Sequence, residues 1–323
     1  MDSPINISTP VELSHPVYSD EEAARRHLEA IQWPDGPVCP FCGQMSTVKV
    51  LGGESMGPGW YHCSECRKKF TVRVGTVFER SHVPLHKWLL AYRLMAGSKK
   101  GFSAHQLHRT LNVTYKTAWF IEHRIRESMR DDDPTPLGGK DKVVEADETF
   151  IGPPVWVFEN GRGWYQKNTV DHKRKVLSLV ERGGRARSFK VESLKSADLW
   201  KIMSRNIDRD STLNTDEAQH YKSIGREFAG HEAVNHSQKE YARKGVTSNT
   251  VEGFFSIFKR GMTGIYQHCD EKHLQRYLHE FDFRYSNRSA LGVDDAERTT
   301  RAIRGAKGKR LTYRPSRPTG THD

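Results

Sequence analysis

The sequence predicts an α/β domain with a mixed sheet and flanking helices, preceded by a small β module and a helical segment. Three observations predict this architecture. Four cysteines lie in a Gly- and Pro-rich stretch over residues 33–75. Residues 83–130 place apolar side chains at a helical period. From residue 142 onward, strand-like and helix-like segments alternate, and strands followed by intervening helices are typical of an α/β fold.

The chain has 323 residues, which at roughly 150 residues per domain suggests about two domains. Lys and Arg outnumber Asp and Glu by 51 to 40, giving a net charge of +11. This excess favours a polyanionic partner, although charge alone is weak evidence. We find no apolar run long enough to span a membrane and no secretory signal, so we expect a cytoplasmic protein that acts on bacterial nucleoid DNA.

In chain order, we predict a helical lead over residues 1–32 and a β module over residues 33–80. Three helices follow over 83–130, and a linker rich in Asp, Pro and Gly covers 131–141. The α/β domain covers residues 142–290. Residues 291–323 carry a dense run of Lys and Arg, and we expect a disordered basic tail there.

The β module contains two C-x2-C pairs, Cys39 with Cys42 and Cys63 with Cys66. Four thiolates from two tight turns can surround one tetrahedral Zn2+, with every ligand position filled. The pairs therefore predict a structural zinc site. A redox pair or unbound thiols are the alternatives, and redox is disfavoured because neither pair stands between a strand and a helix.

The helical segment ends in a helix, a short turn and a second helix over about residues 114–129, which is the pattern of a helix-turn-helix. The start of that last helix would enter the major groove of double-stranded DNA. Tyr115, Lys116 and Thr117 would then lie nearest the bases, and Arg124 would add a contact from the same helix. The alternative is a helical spacer whose charges are simply solvated.

Acidic residues mark the α/β domain at three places. A predicted strand over 142–150 carries Glu145, Asp147 and Glu148; because side chains alternate, Glu145 and Asp147 share one face and Glu148 takes the other. A second predicted strand ends at Asp216, and Glu252 opens a helix.

Two strand aspartates and one helix glutamate can converge on a pair of Mg2+ or Mn2+ ions, which stabilise the oxygens of an in-line phosphoryl displacement. Asp147, Asp216 and Glu252 are therefore the candidate catalytic ligands. Lys259 lies two helical turns after Glu252, so it could reach a phosphate from the same helix face.

These motifs together resemble the DDE transposases of bacterial insertion sequences, in particular the ISXO-like group. The resemblance covers roughly residues 20–290. Its segments are 39–43, 114–119, 144–152, 215–216, 248–256, 259–261 and 273–278.

The resemblance implies an N-terminal zinc ribbon, a helix-turn-helix, and an RNase H-like catalytic domain that cuts element ends and transfers the strands into target DNA. It assigns catalysis to Asp147, Asp216 and Glu252, with Lys259 as accessory. Asn249 stays open as the third ligand, because members of the group can carry Asn at that position. Joining two ends implies at least a homodimer. An inactive DNA-binding regulator and a structure-specific RNase H-like nuclease are the alternative functions.

Overall fold

The computed structural model describes residues 9–53, 56–133, 135–153, 155–161, 163–167, 173–216, 219–234 and 249–312. The chain divides into two compact units. Unit 1 combines Met1–Arg130 with Arg288–Asp323, and unit 2 is Asp131–Asn287. Within the described ranges, no helix is long and apolar enough to cross a membrane.

Unit 1 begins with helix α1 (Glu21–Gln32), whose N-terminus is capped by the Asp20 carboxylate. A small antiparallel sheet follows, in the order β1 (Val48–Leu51), β2 (Trp60–Cys63) and β3 (Lys69–Phe70). Trp33, Tyr61 and Phe70 pack their rings together beside it. These aromatic contacts give the short strands a core that two- to four-residue strands could not supply by backbone bonds alone.

Three helices continue unit 1: α2 (Leu85–Gly97), α3 (Ala104–Leu111) and α4 (Tyr115–Ser128). The hydroxyls of Ser103 and Thr114 cap α3 and α4 by accepting first-turn N–H groups. Asn112 adopts a left-handed conformation with φ of 49° and turns the chain between the two helices. The predicted helix, tight turn and second helix are therefore present in this part of the chain.

Unit 2 contains seven strands and four α-helices in its described part. The strands are β4 (Val143–Ile151), β5 (Val155–Glu159), β6 (Gly163–Lys167), β7 (Arg174–Glu181), β8 (Ala186–Val191), β9 (Thr212–Asp216) and β10 (Gly230–Val234). The helices are α5 (Ser196–Asn206), α6 (Gln219–Gly225), α7 (Asn249–Gly261) and α8 (Leu274–Ser286).

Five of these strands form one sheet in the order β10-β9-β4-β7-β8. β7 runs antiparallel to both of its neighbours, whereas β4, β9 and β10 run parallel. If these five strands are numbered in chain order and read from the β8 edge, their order is 3-2-1-4-5. The second strand in the chain, β7, is the reversed one, and this is the RNase H-like arrangement. The predicted mixed sheet with flanking helices is confirmed.

Helices cover both faces of this sheet. The alternating side chains of β7 show which helices lie on each face. Leu177 and Leu179 pack in a core with α5 and α6, whereas Val176 and Val180 pack in a second core with α7 and α8. In β4, Ala146 belongs to the first core. Residues of the same parity as Ala146 therefore face α5 and α6, and those of opposite parity face α7 and α8.

β5 and β6 form a separate antiparallel hairpin between β4 and β7, and the sequence analysis did not identify it. The turn signal is Asn160-Gly161, with Gly161 at φ of 89°. Residues 155–158 are all apolar and compatible with a strand, but a run of four such residues is too short to stand out.

After unit 2 the chain returns to unit 1 and forms helix α9 (Asp295–Arg304). The prediction of a disordered tail is wrong for residues 295–312, while residues 313–323 lie outside the described part. Asp294 caps α9, and Ala302 and Ile303 are fully buried. The prediction of disorder rested on the number of Lys and Arg residues in this stretch. Such a count does not consider the spacing of the apolar residues, which is that of a short amphipathic helix.

Candidate metal-binding sites

The four cysteines predicted to bind zinc come together in unit 1. Their sulfur atoms all lie within 4.8 Å of one another. The Sγ atoms of Cys39 and Cys66 are 3.6 Å apart, as are those of Cys42 and Cys63. A tetrahedral zinc with bonds of ~2.3 Å requires a sulfur separation of ~3.8 Å, so the cluster fits a four-thiolate site. The N–H group of Cys66 lowers the pKa of the Cys63 thiol, whereas burial raises the pKa of the Cys66 thiol.

Three carboxylates cluster at one end of the unit 2 sheet. Oxygen atoms of Asp147, Glu148 and Asp216 lie within 4.8 Å of one another. The parallel register that pairs Glu145 with Asn214 brings Asp147 and Asp216 to the same end of neighbouring strands. Opposite ligands of Mg2+ stand ~4 Å apart, since each bond is ~2.0–2.1 Å, so these oxygens fit a divalent cation after small movements.

Glu148 belongs to this cluster, contrary to the expectation that its opposite strand face keeps it away from the site. The Glu148 side chain lies on the predicted face of β4, because it contacts the α6 residues His220 and Tyr221. The Tyr221 hydroxyl donates to Glu148 Oε1 at 2.6 Å, and His220 Nε2 lies 2.9 Å from the same oxygen. Both contacts hold a carboxylate that is 6% exposed. Asp147 and Glu148 are adjacent in β4, so alternation put their side chains on opposite faces without keeping their carboxylate oxygens apart.

Negative charge is concentrated in this cluster. Burial, and then the charges of the neighbouring carboxylates Glu148, Asp216 and Glu252, raise the pKa of Asp147 to about 7. Burial also raises the pKa of Glu148. A divalent cation among these groups would relieve the repulsion that disfavours their ionised forms.

Glu145 fixes the helix that carries the third predicted ligand. Its carboxylate is fully buried, and Oε2 accepts the N–H groups of Thr250 and Val251 at 2.9 Å each. Oε1 accepts Nε of Arg182 at 2.7 Å. The two amides belong to the first turn of α7, so a β4 side chain anchors the start of this helix. Asp147, which lies two residues along β4, shares that sheet face.

Glu252 lies in the same first turn of α7 and is exposed. It is close enough to raise the pKa of Asp147, but among the described residues it stands outside the group whose oxygens lie within 4.8 Å. Asn249, the alternative third ligand, is the first residue of α7 and is exposed as well. Lys259 is exposed near the end of α7.

Two family sequence models match the chain. The ISXO2-like transposase domain matches residues 136–286, and the transposase zinc-ribbon domain matches residues 19–69. The chain therefore contains an ISXO2-like transposase domain preceded by a transposase zinc ribbon. Both matches coincide with the sites described above, since the first contains the carboxylate cluster and the second contains all four cysteines.

Individual relatives of this transposase were also found. An uncharacterized protein in transposable element ISH50 of Halobacterium salinarum is 27% identical over 282 residues, which is 83% of this chain and 91% of that protein. Among solved structures, a pre-cleavage Mos1 transpososome shares 10% identity, with a TM-score of 0.27 over 62% of this chain and 70% of that chain. A Mos1 paired-end complex with the left transposon end shares 12% identity over the same fractions, also with a TM-score of 0.27. These TM-scores are too low to support an argument.

The four residues of this transposase that are predicted to contact DNA lie in two different environments. Tyr115 is 45% exposed at the start of α4 and packs against His105, with ring centroids 4.5 Å apart. Lys116 is also exposed. Thr117 is half-buried, and its N–H group and hydroxyl both contact the hydroxyl of the capping residue Thr114. These three residues lie together in the first turn, as predicted.

The prediction for Arg124 is wrong. This side chain is 7% exposed, and its guanidinium donates to the carbonyl oxygens of Val77, Glu79 and Leu311. It therefore joins three segments of unit 1 and does not face DNA. Arg126 is fully buried too, and pairs with Glu122 at 3.1 Å.

Sequence reasoning missed the roles of four residues that support the carboxylate cluster. His220 and Tyr221 orient Glu148, while Glu145 and Arg182 form the anchor of α7. Alternation already placed Glu145 on the same face of β4 as Asp147, but it gave no sign that this carboxylate anchors α7. The other three carry no local signal, because only the folded sheet brings them to the site.

Proposed function

We propose that this protein binds the ends of an insertion sequence and catalyses metal-dependent cleavage and strand transfer of DNA. The observation that carries the proposal is the cluster of Asp147, Glu148 and Asp216 at the ends of adjacent strands, inside the segment matched by the ISXO2-like transposase domain. Buried acids that raise one another's pKa are arranged to hold cations.

In the proposed reaction, Asp147 and Asp216 hold divalent ions, Mg2+ or Mn2+, and Glu252 completes the ligand set from α7. The bound ions would stabilise the attacking and leaving oxygens of an in-line displacement. His220 and Tyr221 keep one oxygen of Glu148 pointed at the cluster. Lys259, on the same helix as Glu252, would pair with a phosphate of the bound strand.

We further propose that unit 1 recognises the DNA ends. The four cysteines would hold one structural Zn2+, and Tyr115, Lys116 and Thr117 at the start of α4 would face the major groove. Joining two ends requires two bound copies of the chain, so we expect a homodimer or a larger assembly in the active complex.

The test uses labelled DNA that spans the junctions flanking the gene, where inverted repeats would mark the element ends. Release and joining of the labelled strand are measured with Mg2+, with Mn2+, and with Ca2+ as an inactive comparison. Asp147→Asn and Asp216→Asn should abolish cleavage while DNA binding in Ca2+ is retained. Glu192→Gln is the matched control, because this carboxylate of unit 2 is 80% exposed and remote in sequence from the cluster.

Two variants decide the remaining ligands. Glu252→Gln should abolish cleavage if α7 supplies the third ligand, whereas Asn249→Ala should have a milder effect. Wild-type protein that binds these ends without cutting them would indicate an inactive regulator. Cutting of branched DNA regardless of end sequence would indicate a structure-specific nuclease. Persistent cleavage by Asp216→Asn would show that the wrong acids have been assigned.

A further inference from the structure

The hairpin of β5 and β6 exposes three large aromatic side chains on one face. Trp156, Phe158 and Trp164 are 58%, 56% and 69% exposed. Trp156 and Phe158 stand two residues apart on β5, so they share a face. Phe158 is paired with Trp164 across the hairpin, with ring centroids 5.5 Å apart. We call these three residues the aromatic face.

This exposure is concentrated in one place. Three of the five exposed large aromatics in the described part of the chain belong to the aromatic face, the other two being Phe41 and Tyr115. Single exposed apolar residues are ordinary on a protein surface, whereas a contiguous set marks a binding site. The reaction proposed above makes no use of these residues.

The position of the hairpin points to the occupant. β4, which carries Asp147 and Glu148, ends at Ile151, and β5 begins at Val155. Trp156 lies nine positions after Asp147 in the chain, so at most ~30 Å of chain joins them. The aromatic face is thus tethered to the strand on which the reacting phosphate would be held.

Charge in this stretch favours a polyanion over a protein. Residues 152–175 contain five Lys or Arg and two Asp or Glu, giving a net charge of +3. Exposed aromatic rings with cations close by in the sequence are typical of surfaces that follow a single nucleic-acid strand, since cations meet phosphates and rings stack on bases. Paired bases inside a duplex cannot offer their faces to such a surface, and unpaired bases can.

We propose that the aromatic face stacks on unpaired bases of the DNA strand next to the cleavage point. This inference rests on the proposed function, because it assumes that DNA is processed at the carboxylate cluster. The inference adds a preference between two DNA substrates. The protein should bind an element end with unpaired terminal bases more tightly than an end that is fully paired.

The test measures binding of the full chain in Ca2+, where no cleavage occurs. The probes are a labelled single-stranded oligonucleotide of random sequence and the same oligonucleotide annealed to its complement. Trp156→Ala combined with Trp164→Ala should weaken single-strand binding ~5- to 100-fold, as expected for the loss of base stacking, and should change duplex binding little. Single-stranded DNA should quench the tryptophan fluorescence of the wild type more than that of the double variant.

Trp156→Phe with Trp164→Phe is the matched variant, since it keeps a ring at each position and should retain most of the single-strand affinity. Thermal melting checks that each variant is folded. An equal loss for single-stranded and duplex DNA would overturn the inference, as would unchanged single-strand affinity. So would a change from dimer to monomer with DNA binding intact, because the face would then join two copies of the chain.

Cleavage by the wild type separates this inference from the proposed function. If the wild type cuts element ends in Mg2+ while the alanine variant binds single strands normally, the inference about the aromatic face fails alone. If the wild type neither binds nor cuts DNA, the proposed function fails and the inference fails with it.

Discussion

Replacing Glu145 should separate the anchoring of α7 from the chemistry of the carboxylate cluster. This buried carboxylate accepts two first-turn N–H groups of α7 and the Nε of Arg182. Glu145→Ala removes all three bonds, whereas Glu145→Gln keeps one oxygen that can still accept the helix amides. We therefore expect both variants to be impaired, and the alanine variant more so.

The magnitude follows from the contacts. Loss of a helix cap costs ~0.5–2 kcal/mol, and a hydrogen bond to a charged group contributes ~1.5–3 kcal/mol. The Arg182 side chain is 29% exposed, so water can partly solvate its guanidinium once Glu145 is replaced. The lost bond to Arg182 therefore contributes little to the change in unfolding free energy. We expect Glu145→Ala to lower the free energy of unfolding by ~3 kcal/mol and Glu145→Gln by ~1–2 kcal/mol.

The assay combines urea unfolding with cleavage of element-end DNA at a temperature where every variant is folded. Since Glu252 sits in the anchored turn, a displacement of ~1 Å can reduce kcat ~100-fold, with little change in DNA affinity. Glu192→Gln, at an exposed carboxylate of unit 2, should alter stability by less than ~0.5 kcal/mol. Glu145→Ala would refute the reasoning if it were no more destabilising than this control, or if its kcat were that of the wild type.

Three further predictions concern other parts of the chain. Cys63→Ser should reduce the zinc content measured by elemental analysis from about one per chain and weaken the fold of the ribbon; unchanged zinc content would contradict the four-thiolate site. Arg124→Ala should lower the melting temperature of unit 1, because three carbonyl oxygens lose their donor, whereas Lys116→Ala should weaken binding to end DNA at unchanged stability. Burial raises the pKa of Asp282 from 3.8 to about 7, so the folded state holds its proton more tightly than the unfolded state and stability falls as pH rises across that interval. Asp282→Asn should flatten this decline in thermal melts, and an unchanged pH slope would show that another group causes it.

The sequence was sufficient where a pattern is local. The paired cysteines and the order of strands and helices in the main sheet of unit 2 are each written within a few neighbouring residues. The proximity of Asp147 and Asp216 could be predicted from the sequence, because parallel neighbouring strands end at the same edge of a sheet. Their clustering with Glu148 could not, since the position of this carboxylate depends on its contacts with His220 and Tyr221 of α6.

The errors over Arg124 and over the C-terminal tail have one origin, which is contact between distant segments. Arg124 resembles a solvated cation in a helical pattern, but residues 288–312 return to unit 1, and the Leu311 carbonyl is one of its acceptors. Lys309 likewise donates to the carbonyl oxygen of Ser128. A count of charge on α4 cannot reveal a partner that follows more than 150 residues later in the chain.

The return of α9 to unit 1 also sets the order in which the chain can fold as it leaves the ribosome. Unit 2 is contiguous, so it can fold once Asn287 has emerged, but unit 1 lacks its last helix until synthesis is almost complete. At ~5–20 residues per second, α2 and α4 wait ~8–30 s while unit 2 is translated. For that interval the apolar surfaces of α2 and α4 have no α9 to cover them. A transcript cut short near residue 290 would therefore yield an intact unit 2 joined to an incomplete unit 1.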